Sequence, residues 1–67
     1  MSIAENIAKY RKAMGFTQEQ LGEMLGVTNQ AVSKWESAVS MPDVMLLPKI
    51  ADALGITLEV GIQKHYG

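Results

Sequence analysis

Five residues between positions 29 and 37 carry side chains able to read the edge of a base: Asn29, Gln30, Ser33, Lys34 and Ser37. On a helix that advances about 100° per residue, with Asn29 at 0°, Ser33 falls near 40°, Ser37 near 80°, Gln30 near 100° and Lys34 near 140°. All five share one side. Ala31, Val32 and Trp35 fall between roughly 200° and 300°, on the opposite side. Asparagine and glutamine each pair a donor with an acceptor, which matches the adenine N6/N7 edge in a major groove. Lysine can donate to guanine O6 and N7. The two serines are short enough to let the helix approach closely. An ordinary solvated helix presents much the same face, so the elements around it have to decide.

Those elements are marked by their caps. Ser2 and Glu5 fit an S-x-x-E capping box, and Ile3, Ile7, Tyr10 and Met14 follow as one inward stripe until Gly15 stops the helix. Thr17 and Gln20 form a second box, with Phe16 and Leu21 at the positions of a hydrophobic staple. Leu21, Met24 and Leu25 form the buried stripe of this second helix, and Gly26 ends it. Thr28 is the N-cap of the third helix, which runs to about Ser37, with Val27 and Val32 as its staple. Only Gly26, Val27 and Thr28 separate helices two and three, so the two must cross steeply. The free amides and positive dipole ends at these two N-termini, where Gln18 and Thr28 sit, suit phosphate oxygens.

A looser stretch, "SAVSMPD", precedes a fourth helix over about Val44 to Leu54, with Pro48 near its start and Gly55 at its end. In the tail, Ile56, Leu58, Val60 and Ile62 alternate with Thr57, Glu59, Gly61 and Gln63, the period of a half-buried strand. A short helix capped by Thr57 fits residues 57–63 as well. The chain has no second strand signal, so a strand here would pair with another molecule.

Other chemistry finds little support. The single histidine, His65, has no sequence-near carboxylate or cysteine partner. Glu19 and Glu23 lie one helical turn apart and read as an exposed face, not an acid/base pair. "MGFTQEQLG" lacks the spacing and the lysine of a phosphate-binding loop. No catalytic residue and no metal site is expected. Cysteine is absent, which excludes disulfides and thiolate metal sites.

Sixty-seven residues make one domain, residues 1–67, and 48% hydrophobic content is ample for its core. A chain this small buries only about 60% of its unfolded surface, so it needs tight packing or a partner. No apolar run approaches the roughly 18 residues of a membrane span, and the charged N-terminus is not a signal peptide. A cytoplasmic protein without cofactor or membrane partner is expected.

"TQEQLGEMLGVTNQAVSKWE", with "KYRKAMGF" before it and "MPDVMLLPKIADALGIT" after, resembles the helix-turn-helix domain of lambda-repressor, Cro and Xre-like regulators. The resemblance covers about Ile3 to Leu58. It implies an all-α, compact four- or five-helix bundle of the lambda-repressor-like type, in which helices two and three are the DNA-binding pair. It implies a sequence-specific transcriptional regulator, by preference a repressor, bound as a homodimer to double-stranded DNA. Residue by residue, it puts Asn29, Gln30 and Lys34 at base-contacting positions. Gln18, Thr28, Ser33 and Ser37 match backbone or secondary contacts. Arg11 and Glu36 match a structural salt bridge between the first helix and the end of the third. Trp35 matches a core position. The fifth helix of this family often packs across a two-fold axis, so the tail is expected to mediate dimerisation as helix or paired strand.

The chain departs from the family pattern at three places. Ala38 stands where glycine permits a left-handed turn. Val39 and Ser40 occupy a loop that is often basic. Gly22 replaces a common alanine inside helix two, at a cost of up to about 1 kcal/mol. Between Met1 and Glu36, four basic residues balance four acidic ones, and the whole chain has a formal net charge of −1. Few phosphates would be neutralised per subunit, so a dimer is close to a requirement for DNA binding. The same departures motivate an alternative: a protein-interaction module or antitoxin-like partner on this scaffold, with weak or no DNA binding and a protein partner.

Overall fold

The computed structural model describes residues 2–56. They form four α-helices, α1 (Ile3–Met14), α2 (Gln18–Leu25), α3 (Asn29–Glu36) and α4 (Leu47–Leu54), and among them there is no strand. The alternatives for residues 57–63, and His65, lie outside the described residues.

Local chemistry accounts for the helix ends. The Ser2 hydroxyl accepts from the Glu5 amide at 3.0 Å, and the Glu5 carboxylate accepts from the Ser2 amide at 3.5 Å. The Thr17–Gln20 box closes in both directions at 3.0 and 2.9 Å. Thr28 accepts from the Ala31 amide at 3.1 Å. Each bond satisfies a donor that the first turn of a helix leaves without a partner. Gly15 and Gly26 take up the left-handed conformation that lets α1 and α2 stop and turn, with φ of 81° and 76°.

The fourth helix differs from its expected span. Val44–Leu46 form a single 3-10 turn, and α4 begins only at Leu47. Pro48 explains this. In an α-helix starting at Val44, residue 48 would donate to the Val44 carbonyl, but proline has no amide hydrogen and its ring crowds that carbonyl. The Asp43 carboxylate caps the shorter turn by accepting from the Met45 amide at 2.9 Å.

The core is one cluster of Ile7, Leu21, Leu25, Val32, Trp35, Ile50 and Leu54, drawn from all four helices. Phe16, Val27 and Tyr10 pack half-buried against it, so both staples close on the core. Trp35 is 5% exposed and has no face free for stacking. The inward stripes are narrower than the sequence pattern. Met14 and Met24 are each 49% exposed, and Ile3 is also on the surface. These residues sit at helix ends or at the edge of the stripe, beyond the reach of a bundle of such short helices.

Candidate nucleic-acid interface

The apolar side of α3 is fixed against the core by Val32 and Trp35, with Ala31 half-buried beside them. That docking decides which way the other side faces. Asn29, Gln30, Ser33, Lys34 and Ser37 are all exposed. Among the described residues, the side chains of Asn29, Gln30, Ser33 and Lys34 make no hydrogen bond. Their donors and acceptors are therefore open to a ligand.

The remaining candidates are engaged, each in a different way. Thr28 accepts from its own helix, which leaves its hydroxyl hydrogen free to donate. Ser37 does the reverse: its hydroxyl donates to the Ser33 carbonyl at 2.9 Å and reaches the Lys34 carbonyl at 3.4 Å. Its hydrogen is spent on capping the end of α3, and only lone pairs remain. Gln18 is half-buried, and its amide donates to Glu36 Oε1 at 3.0 Å.

Glu36 and Arg11 form the anchor beneath this surface. Arg11 Nε donates to Glu36 Oε2 at 2.6 Å, and Nη2 donates to Oε1 at 3.0 Å. Arg11 Nη1 donates to the Phe16 carbonyl at 2.8 Å. The two side chains are 10% and 9% exposed. The planar guanidinium is thus used on two sides, toward the end of α3 and toward the turn between α1 and α2. Burial alone pushes the Glu36 carboxyl up. The hydrogen bonds from Arg11 and Gln18, with the fields of Arg11 and Lys12, outweigh it and hold the carboxyl below its ordinary value. The hydrogen bond to Glu36 in turn raises the Arg11 guanidinium against the opposing effect of burial. Neither the Phe16 carbonyl nor the Gln18–Glu36 bond was visible in the sequence. Gln18 and Glu36 are too far apart in the chain for any helical spacing to connect them, and Phe16 lies past the end of α1, where the spacing within that helix no longer places its carbonyl.

The turn between α2 and α3 depends on a close approach. A Cβ built on Gly22 would stand 2.7 Å from the Val27 carbonyl oxygen and 3.2 Å from the Thr28 carbonyl. The Val27 amide donates to the Gly22 carbonyl at 2.8 Å. The helix-propensity cost charged to Gly22 from sequence is therefore set against a steric need in this turn. Ala38, just past α3, has a φ of 63°, the left-handed conformation that favours glycine.

This packing of α2 and α3, with an open polar face on the second helix, is that of a helix-turn-helix. The family model for the helix-turn-helix matches residues 7–60. The chain belongs to the helix-turn-helix family. Among its curated relatives, the cryptic phage CTXphi transcriptional repressor RstR of Vibrio cholerae is 39% identical over 59 residues, covering 88% of this chain and 53% of that protein. The HTH-type transcriptional regulator YgzD of Bacillus subtilis is 36% identical, covering 85% of this chain and 86% of that one. This helix-turn-helix chain spans about half the length of RstR and of YonR of B. subtilis, the latter 31% identical.

Two solved structures share the helix-turn-helix fold. The P22 c2 repressor in complex with a synthetic operator aligns with a TM-score of 0.80 at 33% identity, covering 85% of this chain and 86% of that one. SinR, a master regulator for biofilm formation in complex with DNA, aligns with a TM-score of 0.74 at 28% identity, covering 82% and 92%. These relatives are named as regulators or repressors, and none of them as an enzyme. Among the described residues no group of three His, Cys, Asp or Glu could hold a metal ion, and no helix is long and apolar enough to cross a membrane.

Proposed function

We propose that this chain is a sequence-specific DNA-binding transcriptional regulator, a repressor by preference, that works in the cytoplasm as a homodimer on double-stranded DNA. The observation that carries the reading is the open face of α3, with Asn29, Gln30, Ser33 and Lys34 exposed and unengaged on a helix whose other side is locked into the core. The likeness to two repressor–DNA and regulator–DNA complexes supports it.

In this reading α3 lies in the major groove. Asn29 and Gln30 pair with adenine edges, and Lys34 donates to guanine. Thr28 donates its free hydroxyl hydrogen to a phosphate, and the amide ends of α2 and α3 flank the same strand. Gln18 keeps one amide hydrogen for a phosphate while it holds Glu36 with the other. Ser33 is a short secondary contact. Ser37 contributes only as an acceptor, since its hydrogen already serves α3. Two copies would place their α3 helices about 34 Å apart, one turn of DNA.

The test is binding of the full chain to its own upstream DNA and to a random duplex, each at two salt concentrations. Tight, salt-sensitive binding to the upstream DNA alone is the expected result. Binding to neither duplex at low salt would sink the reading and leave the scaffold to a protein partner.

A further inference from the structure

We propose that Gln18 is a positioning residue for base reading: it braces the open end of the α2–α3 pair and so holds α3 at the angle that discriminates one base from another. The proposal rests on the DNA-binding reading above and names the side chain that tunes its specificity.

The two helices are joined at both ends. At one end Gly26, Val27 and Thr28 connect them, and the Val27 amide donates to the Gly22 carbonyl at 2.8 Å. At the other end Gln18, the first residue of α2, meets Glu36, the last residue of α3. Gln18 Nε2 donates to Glu36 Oε1 at 3.0 Å. Among the described residues this is the one side-chain hydrogen bond between α2 and α3. Both residues are half-buried.

The brace has a fixed sense and a fixed foothold. An ionised carboxylate only accepts, so the amide nitrogen of Gln18 must face Glu36 and its oxygen must face away. The carboxylate cannot wander, because Arg11 Nε and Nη2 grip its two oxygens from α1 at 2.6 and 3.0 Å. Gln18 therefore ties α2 to a point that α1 already holds. The apolar contacts of Leu21, Leu25, Val32 and Trp35 press the helices together but favour no direction. A hydrogen bond to a charged group does, and it is stronger than a neutral one.

Geometry turns a small loosening into lost discrimination. The eight residues of α3 are about 12 Å long. With the turn as pivot, a slip of about 1 Å at Glu36 rotates α3 by roughly 5°. Asn29 sits beside the pivot and hardly moves, whereas Lys34, near the braced end, follows most of the slip. Base contacts need their groups held within about 0.5 Å. Attraction to phosphates falls slowly with distance and carries no sequence information, so binding to random DNA survives the same slip.

The experiment compares the full chain with two variants. Gln18→Met keeps the length of the side chain and loses the donor, and Gln18→Glu sets a like charge against Glu36. Each protein is bound in competition to the chain's own upstream DNA and to a random duplex. The ratio of the two affinities should fall at least about fivefold in each variant. Loss of a phosphate contact alone weakens both duplexes equally, and a loss of stability does the same, so neither moves the ratio. In the DNA-free protein, amide hydrogen exchange from Ser33 to Ser37 should quicken relative to that of α1. An unchanged ratio in both variants overturns the proposal. So does exchange in α3 that stays at the wild-type rate or quickens only as much as α1. A wild type that binds neither duplex sinks the regulator reading, and the exchange comparison then decides the brace by itself.

Discussion

At the scale of single residues, the open face of α3 and the anchor behind it make opposite demands on a mutation. Asn29→Ala, Gln30→Ala and Lys34→Ala remove exposed, unengaged groups, so Tm should stay unchanged in each. Each should lose about 1–3 kcal/mol of preference for the cognate site over a random duplex, measured by competition binding. Glu36→Gln does the reverse. It leaves the Arg11 guanidinium buried without its charge partner, a loss on the order of 3 kcal/mol. Because the folded Glu36 carboxyl lies below its unfolded value of about 4.3, its contribution is present above that pH. It is lost as pH falls through the lower, folded value. The Tm difference between wild type and Glu36→Gln should therefore be full at neutral pH and close in acid. A gap that stays constant down to acid pH would show that the carboxylate's charge is not the cause. Ala38→Gly relieves the left-handed strain at φ 63° and should raise Tm by roughly 4–8 °C, for about 1 kcal/mol.

At the scale of elements, the unit under tension is α2, its turn and α3. Gly22→Val puts a branched side chain where a Cβ already meets the Val27 carbonyl at 2.7 Å. The turn must open or α2 must shift, at about 1–3 kcal/mol. The expected outcome is a lower Tm together with weaker DNA binding, since the same turn aims α3. A Gly22→Val protein with wild-type Tm would mean that the turn is looser than this packing. The elements themselves were largely legible. Ser2, Thr17 and Thr28 announced three helix starts, because a cap acts on amides within three residues of itself. The 3-10 turn at Val44–Leu46 was the exception. There the apolar run continued as a helix should, and the missing amide of Pro48 overruled it.

At the scale of the molecule, charge and symmetry govern. Between Ala13 and Pro48, Lys34 is the one cation, so each subunit brings few phosphate neutralisers to DNA. For a dimer, log K should fall with log salt at a slope of only about −2, which titration of operator affinity against salt will measure. A slope several times steeper would mean that Lys9, Lys12 or a residue of the tail also reaches the backbone. Specific affinity then depends on two coupled reading helices, which is the physical reason a dimer surface matters to so small and acidic a domain.

By itself the sequence determined what acts over one or two turns: the caps, the glycine stops, the polar side of α3 and the burial of Trp35 opposite it. Periodicity is local, and each of these follows from neighbours three or four residues away. Tertiary structure alone decided the rest. It brought Arg11 and Gln18 to Glu36, groups on different elements that no spacing connects, and turned the same guanidinium onto the Phe16 carbonyl just past α1. It turned the Ser37 hydroxyl onto α3 and left Asn29, Gln30 and Lys34 open. It also left Met24 and Met45 on the surface, because whether an apolar residue is buried depends on what packs across from it, and that partner is chosen by the fold.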